Sequence, residues 1–267
     1  MSATAVSPRL IATDLDGTLL RGDGTISPRT RAALARVRRA GIEVVLATGR
    51  PARHVRALAD AGVPVICLNG ALVYDVERHA IIDETRLTAA VACDLVERLR
   101  ARLPGTCFAV EVGLEFGWEP SYGRHRAKLE PALLPLADAR ALCARGVNKL
   151  IGFHPELAPD AFVSRSSDVV GEHAFVAYSG APFLEISARG VSKAAALADY
   201  CAARGIAARE VIAFGDMPND LPMLAWAGRG IAMSNAHASV LAAVAESTLS
   251  NDDDGVAQVL EQLVPHH

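Results

Sequence analysis

Polar residues that could act together chemically stand where several apolar segments of this sequence end. In chain order they are Asp14 and Asp16 after "RLIAT", Thr48 after "IEVVLA", Lys193 in "GVSK", and Asp216 with Asn219 and Asp220 after "EVIAFG". In open α/β sheets, ligands bind at the carboxyl ends of the strands. We therefore expect these side chains to meet at one edge of a sheet, although about 200 residues separate the first from the last.

Carboxylates that meet in this way need a counter-charge. Each raises the pKa of its neighbours unless a cation neutralises them. Oxygen ligands without histidine or cysteine favour a hard divalent ion, which in a cell is Mg²⁺. Together with a lysine and a hydroxyl, such a metal is typical of a phosphate site, because all three stabilise phosphoryl oxygens.

The segments that carry these residues alternate between strand-like and helix-like patterns. A strand "RLIATD", a helix at 27–41, a strand at 42–49, a helix at 50–62 and a strand at 63–70 follow one another. Short connections of this kind predict parallel strands with right-handed crossovers. The alternation resumes at residue 183, with strands at 210–216 and 229–234 and helices at 218–228, 237–246 and 255–264.

The middle of the chain follows a different pattern. A hairpin at 71–84 precedes a helix at 88–103, short strands "CFAVEV" and "EFGWEP", a helix around 136–145, and strands "NKLIGFH" and "AFVAYS". This mixture predicts an inserted α+β domain with its own sheet. The predicted fold class is α/β, a Rossmann-like parallel-sheet core with an inserted α+β domain. The predicted boundaries are 1–82 and 186–267 for the core and 83–185 for the insert.

The composition narrows the possible partners and compartments. The chain has 267 residues, of which 51% are hydrophobic, and its 27 basic and 30 acidic side chains give a net charge of −3. This balance argues against a nucleic-acid or anionic-membrane surface. Five scattered cysteines without a CxxC pair argue against disulfides or zinc and favour the cytoplasm. Neither a signal peptide nor an apolar run of ~20 residues is evident. A monomer and a homodimer are both open.

The ordered set of motifs resembles a known family. "DLDGT", Thr48, Lys193 and "GDMPND" are similar in type and order to the motifs of the haloacid dehalogenase superfamily. "LNGA" at 68–71, the insert of roughly 100 residues and "NDDDGVA" at 251–257 narrow the resemblance to the Cof-type phosphatases. In these proteins a large α/β cap lies between the second and third motifs. The resemblance covers nearly the whole chain.

The resemblance implies distinct tasks for the carboxylates. Asp14 matches the nucleophile that accepts the phosphoryl group as an aspartyl-phosphate. Asp16 matches the general acid that protonates the leaving alcohol and then the base that activates water. Asp14, the backbone carbonyl of Asp16, and Asp216 would hold Mg²⁺. An aspartate suits the nucleophilic task because it is already ionised at neutral pH.

The remaining motif positions match residues that surround the phosphate. Thr48 with Gly49, Lys193 and Asn219 would bind the transferring phosphoryl group, and Asp220 either orients Lys193 or supports the metal through water. Arg50 reaches the site or lies on a helix face, and Asn69 and Gly70 shape a hinge or turn. Each of six side chains in the cap either contacts the substrate or occupies an ordinary solvated or core position. These are Glu115, Trp118, Tyr122, Arg124, His125 and Lys149.

The predicted function is a Mg²⁺-dependent phosphatase that hydrolyses a small phosphorylated metabolite, such as a sugar phosphate or a nucleotide-like monophosphate. The predicted partner is a small-molecule phosphate ester, with no nucleic acid and no membrane. A hexose phosphomutase shares this framework and is one alternative. A non-catalytic phosphate-ligand sensor is another, and the intact Asp14 and Asp16 argue against it.

Overall fold

Two β-sheets organise the chain in a computed structural model that describes residues 7–55, 63–125, 131–177 and 183–264. One sheet has eight strands and the other has five. The predicted fold class, a Rossmann-like parallel-sheet core with an inserted α+β domain, is confirmed.

The larger sheet forms the core domain. Its strands are β1 (Leu10–Asp14), β2 (Glu43–Ala47), β3 (Pro64–Cys67), β4 (Leu72–Asp75), β5 (Ala80–Glu84), β11 (Val211–Gly215), β12 (Arg229–Met233) and β13 (Glu246–Thr248). Their spatial order is β13-β12-β11-β1-β2-β3-β4-β5. The first six run parallel, and β4 and β5 add an antiparallel hairpin. β1 is buried along its whole length between β2 and β11, as the continuous apolar run "LIA" predicts.

Helices cover both faces of the core sheet. They are α1 (Pro28–Arg39), α2 (Ala52–Val55), α7 (Lys193–Ala202), α8 (Leu221–Trp226), α9 (Ala238–Ala243) and α10 (Gly255–Leu263). α7 begins at Lys193 because the Oγ of Ser192 accepts the backbone N–H of Ala195 at 3.0 Å. This N-cap fixes the point at which the lysine leaves the helix.

The smaller sheet belongs to the inserted domain, here called the cap. Its strands are β6 (Cys107–Val112), β7 (Glu115–Trp118), β8 (Lys149–Phe153), β9 (Phe175–Ala177) and β10 (Leu184–Ser187), in the antiparallel order β7-β6-β8-β10-β9. Four helices accompany them: α3 (Ala89–Arg102), α4 (Pro120–Arg124), α5 (Ala139–Leu142) and α6 (Pro159–Val170). Leu95 of α3 and Phe162 of α6 pack with Phe108 and Leu184 on one face of the sheet. The opposite face is turned toward the core domain.

We propose domain boundaries two residues later than the predicted 82/83 and 185/186. β5 pairs with β4 as far as Glu84, so the core sheet ends later than predicted. Ile186 still pairs with Leu150 of β8, and Ser187 pairs with Phe175 of β9. Because these pairs belong to the cap sheet, we propose that the cap comprises residues 85–187.

Some predicted elements differ in extent. The helix predicted at 237–246 ends at Ala243, and the chain then extends into the edge strand β13, which pairs with β12. α6, at 159–170, was not predicted. Most of the helix predicted at 50–62 and the end of the strand "AFVAYS" lie outside the described residues. Among the described residues, no helix is both long enough and apolar enough to cross a membrane.

Candidate active site

A buried lysine joins two carboxylates at the carboxyl edge of the core sheet. Asp14 is the last residue of β1, and Lys193 is the first residue of α7. The Nζ of Lys193 donates to Oδ1 of Asp14 at 2.5 Å and to Oδ1 of Asp220 at 2.7 Å. All three side chains are buried, so the ion pairs are poorly screened by solvent. The convergence predicted from the sequence is therefore present for these residues.

Asp216 lies beside this triad at the end of β11. Its Oδ1 accepts a hydrogen bond of 2.8 Å from the Oγ1 of Thr18. Gly17 has a φ of +78°, and a Cβ there would lie 2.4 Å from Oδ2 of Asp216. Only glycine therefore permits this approach of the "DLDGT" loop to the aspartate.

The carboxylates of Asp14, Asp216 and Asp220 form one compact group. Each offers an oxygen, and these oxygens lie within 4.8 Å of one another. Burial raises the pKa of Asp14 well above its usual value, against the effect of Lys193. Burial also raises the pKa of Asp216 to about 6, against the hydrogen bond from Thr18. One lysine offsets only one of three charges, so this all-oxygen group fits a hard divalent cation.

Asp220 accepts hydrogen bonds from two backbone N–H groups and from Lys193. Its Oδ2 accepts the backbone N–H groups of Asp216 and Met217 at 3.1 and 3.0 Å, and its Oδ1 accepts from Lys193. Burial works against the charge on Lys193, but Asp14 and Asp220 outweigh it and raise the lysine's pKa. Asp220 thus holds the lysine in place. The sequence left this contact and metal support as alternatives, and both are compatible with its position.

Asp16 is separated from the buried group and pairs with Arg50. Its side chain is 54% exposed. The Nε of Arg50 donates to Oδ2 of Asp16 at 2.8 Å, and a second guanidinium nitrogen donates to Oδ1. The hydrogen bond to Asp16 raises the pKa of Arg50. Arg50 therefore lies at the site, which the sequence left open.

The turns after β2 and β3 supply further polar groups. Thr48 is buried, and its Oγ1 accepts the backbone N–H of Arg50 at 3.1 Å. Asn219 donates from Nδ2 to Oδ1 of Asn69 at 3.2 Å. Within the described part of the chain, Nδ2 of Asn69 and Oδ1 of Asn219 are buried without a hydrogen-bond partner. One donor and one acceptor are thus left unused beside the carboxylates.

Gly70 allows these turns to contact the start of α7. Its φ is +108°, and a Cβ there would lie 2.2 Å from the carbonyl oxygen of Ser192. Asn69, immediately before it, is also left-handed, with a φ of 58°. The turn role predicted for this pair thus includes packing against the residue that precedes Lys193.

A cavity of about 470 Å³ lies between this edge of the core sheet and the cap. The predicted site residues among its lining are Asp14, Asp16, Gly49, Arg50, Lys193 and Asn219. Thr48, Asp216 and Asp220 are tied to that lining by the contacts described above. The structure therefore brings the sequence-predicted residues of the core together around one cavity.

The cap contributes cavity residues that were not predicted from the sequence. Of its six candidates, Tyr122 and Lys149 line the cavity. Glu115, Trp118, Arg124 and His125 are not among the described residues that do so. The unpredicted lining residues from the cap are Glu111, Phe116, Ile151, Phe183 and Glu185.

The two cap glutamates that line the cavity carry a signal in the sequence. Glu111 and Glu185 stand between apolar neighbours in "AVEV" and "FLEIS". Such alternation usually marks the solvent side of a half-buried strand. Both side chains are nevertheless buried, because this face of the sheet is covered by the core domain. The unusual signal is a lone glutamate in an otherwise strongly apolar strand.

The family model of haloacid dehalogenase-like hydrolases matches residues 11–260. The chain belongs to this family.

Known members of the haloacid dehalogenase-like hydrolases match it over almost its full length. The 5-amino-6-(5-phospho-D-ribitylamino)uracil phosphatase YitU of Bacillus subtilis is 30% identical, and the match covers 96% of this chain and 97% of the relative. The pyridoxal phosphate phosphatase YbhA of Escherichia coli is 29% identical, and the match covers 96% and 98%. The predicted enzyme class, a phosphoric monoester hydrolase, is thereby confirmed.

Solved structures support the same family. TM0651 from Thermotoga maritima is similar with a TM-score of 0.79 at 29% identity, covering 96% of this chain and 97% of its own. A haloacid dehalogenase-like hydrolase from Bacteroides thetaiotaomicron has a TM-score of 0.76 at 29% identity, covering 96% and 100%. The tasks assigned to individual residues stay predictions.

Proposed function

We propose that this haloacid dehalogenase-like hydrolase is a Mg²⁺-dependent phosphatase that cleaves a small phosphorylated metabolite through an aspartyl-phosphate on Asp14. The observation that carries the proposal is the buried Asp14 carboxylate, which Lys193 contacts at 2.5 Å on the wall of the cavity. A carboxylate held there by a cation is a nucleophile that needs no base to activate it.

In the first step, a carboxylate oxygen of Asp14 forms a bond to phosphorus while the bond from phosphorus to the leaving oxygen breaks. Asp16 supplies the proton that this leaving oxygen takes up. It suits this task because it is half-exposed and separate from the buried carboxylates, and Arg50 orients it. The two aspartates therefore have the different environments that separate roles require.

In the second step, water attacks phosphorus and passes a proton to Asp16. The bond from phosphorus to Asp14 breaks, which restores the carboxylate and releases phosphate. Lys193, the Thr48 hydroxyl and the unused Nδ2 of Asn69 would donate hydrogen bonds to phosphoryl oxygens. Asn219 would donate the second hydrogen of its Nδ2, since its unused Oδ1 can only accept.

Asp14, Asp216 and the backbone carbonyl of Asp16 would hold Mg²⁺, with Asp220 behind them. When bound, the ion balances the charge of the carboxylates and of the phosphoryl oxygens. The fit rests on the three buried carboxylate oxygens within 4.8 Å, of which Lys193 offsets one charge.

The proposal of a small substrate rests on the cavity and on the relatives. A cavity of about 470 Å³ closed on one side by the cap suits a metabolite rather than a folded phosphoprotein. YitU and YbhA are named for monophosphates of this size. The cap would also exclude bulk water during transfer.

A phosphate-release assay across a broad phosphomonoester panel tests the proposal. We expect release with Mg²⁺ by the full chain, none after chelation of the metal, and none by Asp14→Asn. The proposal is wrong if no ester in the panel yields phosphate above the Asp14→Asn background. Hexose phosphates in the panel also test the mutase alternative, for which the isomer would form without release of phosphate.

A further inference from the structure

The face of the cap sheet that is turned toward the site carries charged side chains. Alternate residues of a strand share a face. Leu150, Leu184 and Ile186 pack into the cap core, so Lys149 and Glu185 project from the opposite face. Both line the cavity, and both side chains are about 95% or more buried.

Lys149 holds Glu185 in a defined position. Its Nζ donates to Oε1 of Glu185 and, at 3.0 Å, to the carbonyl oxygen of Gly49. Gly49 directly follows Thr48 in the core domain. Lys149 therefore connects the cap glutamate to the turn beside the predicted phosphoryl-binding site. Its position relative to that group is therefore fixed across the domain boundary.

The second carboxylate oxygen of Glu185 has no hydrogen-bond partner in the described part of the chain. Among the described residues, Oε2 is buried and accepts no hydrogen bond. A buried acceptor left unpaired costs free energy, which a ligand can recover by donating to it. Glu185 lines the cavity, so a ligand in that cavity is the candidate for the missing donor.

The other cap residues around the cavity are mostly apolar. Phe116, Tyr122, Ile151 and Phe183 line it, and the guanidinium of Arg53 lies 4.7 Å from the ring centroid of Phe116. Arg53 is itself paired with Glu111, so it is not a free cation for a second phosphate. Rings and an isoleucine favour an apolar, ring-bearing group over a polyol.

We propose that Glu185 is a specificity-determining residue, which selects phosphate esters whose ring-bearing leaving group presents an N–H or O–H donor to its Oε2. This inference rests on the proposed phosphatase activity of the same site. The substrate class is thus the monophosphate of an aromatic or heteroaromatic alcohol with a donor on the ring.

Matched synthetic esters test this selection. The probes are benzyl phosphate, 3-hydroxybenzyl phosphate, 2-phenylethyl phosphate, 2-(3-hydroxyphenyl)ethyl phosphate, pyridin-3-ylmethyl phosphate and glycerol 1-phosphate. For the full chain with Mg²⁺, we expect a hydroxyl to raise kcat/KM at least about tenfold within one of the two matched pairs. Glycerol 1-phosphate, which has donors but no ring, should be poorer than the better hydroxylated ester.

Glu185→Gln should remove the preference for the donor. The carbonyl oxygen of glutamine would face the Lys149 ammonium, so its NH₂ would occupy the place of Oε2 and offer a donor instead. The ratio of kcat/KM between the esters of a pair should fall to near one. The ratio of pyridin-3-ylmethyl to benzyl phosphate, an acceptor against none, should rise. A partial loss of folded protein cancels in both ratios.

Glu115→Gln is the matched control. Glu115 lies on cap strand β7, pairs with Arg145 at 3.2 Å and is not among the described residues that line the cavity. It should keep the ratios of the unaltered chain. Should Glu185→Gln yield no soluble protein, Glu185→Asp, which retracts the carboxylate by one methylene, should lower the hydroxyl preference.

The outcomes separate this inference from the function on which it rests. No release of phosphate from these esters or from the broad panel overturns the phosphatase proposal. Release without a hydroxyl preference, or a preference that survives in the Glu185 variants, overturns the role of Glu185 alone. Glycerol 1-phosphate as the better substrate overturns the ring-bearing class.

Discussion

Two buried lysines, one in each domain, show how differently the two sides of the cavity are built. Lys193 in the core contacts two carboxylates at the edge of a parallel sheet, beside a third. Lys149 in the cap, at the start of an antiparallel strand, contacts one carboxylate and one backbone carbonyl. The core side therefore gathers more negative charge than its lysine offsets, whereas the cap pair is balanced.

The difference indicates a division of labour. An excess of negative charge calls for a metal ion and suits phosphoryl transfer. A balanced pair with one unused oxygen offers no net charge and suits recognition of a neutral donor. Equivalent substitutions on the core side and on the cap side of the cavity test this contrast.

The largest expected effect is on kcat, and it distinguishes the two lysines. Lys193→Met should lower kcat by about 10²–10³-fold, because it removes a fixed charge beside the transferring phosphoryl group. Lys149→Met should lower kcat by less than about tenfold and act mainly on KM. Steady-state kinetics on one good substrate give both numbers. Equal losses of kcat would show that the cap lysine also serves the chemical step.

The second effect concerns an ion pair that joins the domains. Arg53 of α2 donates to Glu111 of β6 through two nitrogens, one of them at 2.9 Å. Burial raises the pKa of Glu111, and Arg53 opposes this. Arg53→Met should therefore lower the free energy of unfolding by about 3 kcal/mol at pH 8, because the buried glutamate loses the arginine that stabilises its charge.

The sign of the pH effect follows from the raised pKa. As the pH falls through that pKa, Glu111 takes up a proton and the penalty is relieved, so the loss should shrink at pH 5.5. Urea unfolding, followed by the fluorescence of Trp118 in the cap and Trp226 in the core, measures it. Arg53→Met combined with Glu111→Gln should recover most of the loss. The exposed Arg145–Glu115 pair is the control, and Arg145→Met should cost at most about 0.5 kcal/mol.

The third effect, stabilisation by Mg²⁺, is specific to the core domain. Mg²⁺ at 100 times its Kd should raise the free energy of unfolding by about 2.7 kcal/mol, seen as a higher Tm. Asp216→Asn should abolish this shift. Asp16→Asn should retain it, because it leaves the backbone carbonyl of residue 16 in place. A shift that persists in Asp216→Asn would place the ion elsewhere.

The smallest effect compares two glycines with positive φ. Gly70→Ala brings a Cβ to 2.2 Å from the Ser192 carbonyl oxygen, whereas at Gly113 in the cap hairpin the nearest atom would be 3.5 Å away. We expect roughly 2 kcal/mol of destabilisation at Gly70 and about 1 kcal/mol at Gly113. Thermal unfolding measures both, and equal costs would mean that the turn relaxes away from α7.

The core side was predictable because its polar residues interrupt the sequence pattern. Asp14 and Asp216 end apolar runs that can only be buried strands, and parallel strands bring such ends together. The position of Asp220 was predicted, but its bonds to Lys193 and two backbone N–H groups depend on the turn at 218–220. Local patterns do not specify that turn.

The cap side was not predictable for a different physical reason. Glu111 and Glu185 follow the alternation of a strand with one wet face, and a strand's own sequence does not show what will cover that face. Packing of the core domain against the cap decides whether this face is buried. The second half of β10, Ile186 and Ser187, was assigned to the core for a similar reason. The residues of β10 fit either sheet, and they belong to the cap sheet because they pair with β8 and β9.

The contact between Lys193 and Asp14 also constrains when the enzyme can become active during synthesis. The two residues lie 179 positions apart, and β1 needs β11, which is made later still, as a neighbour. The cap sheet, in contrast, is complete once residue 187 has been made. A chain leaving the ribosome can therefore fold its cap before β1 has its neighbour β11. Because closing so long a loop is slow, we expect the core to limit the folding rate.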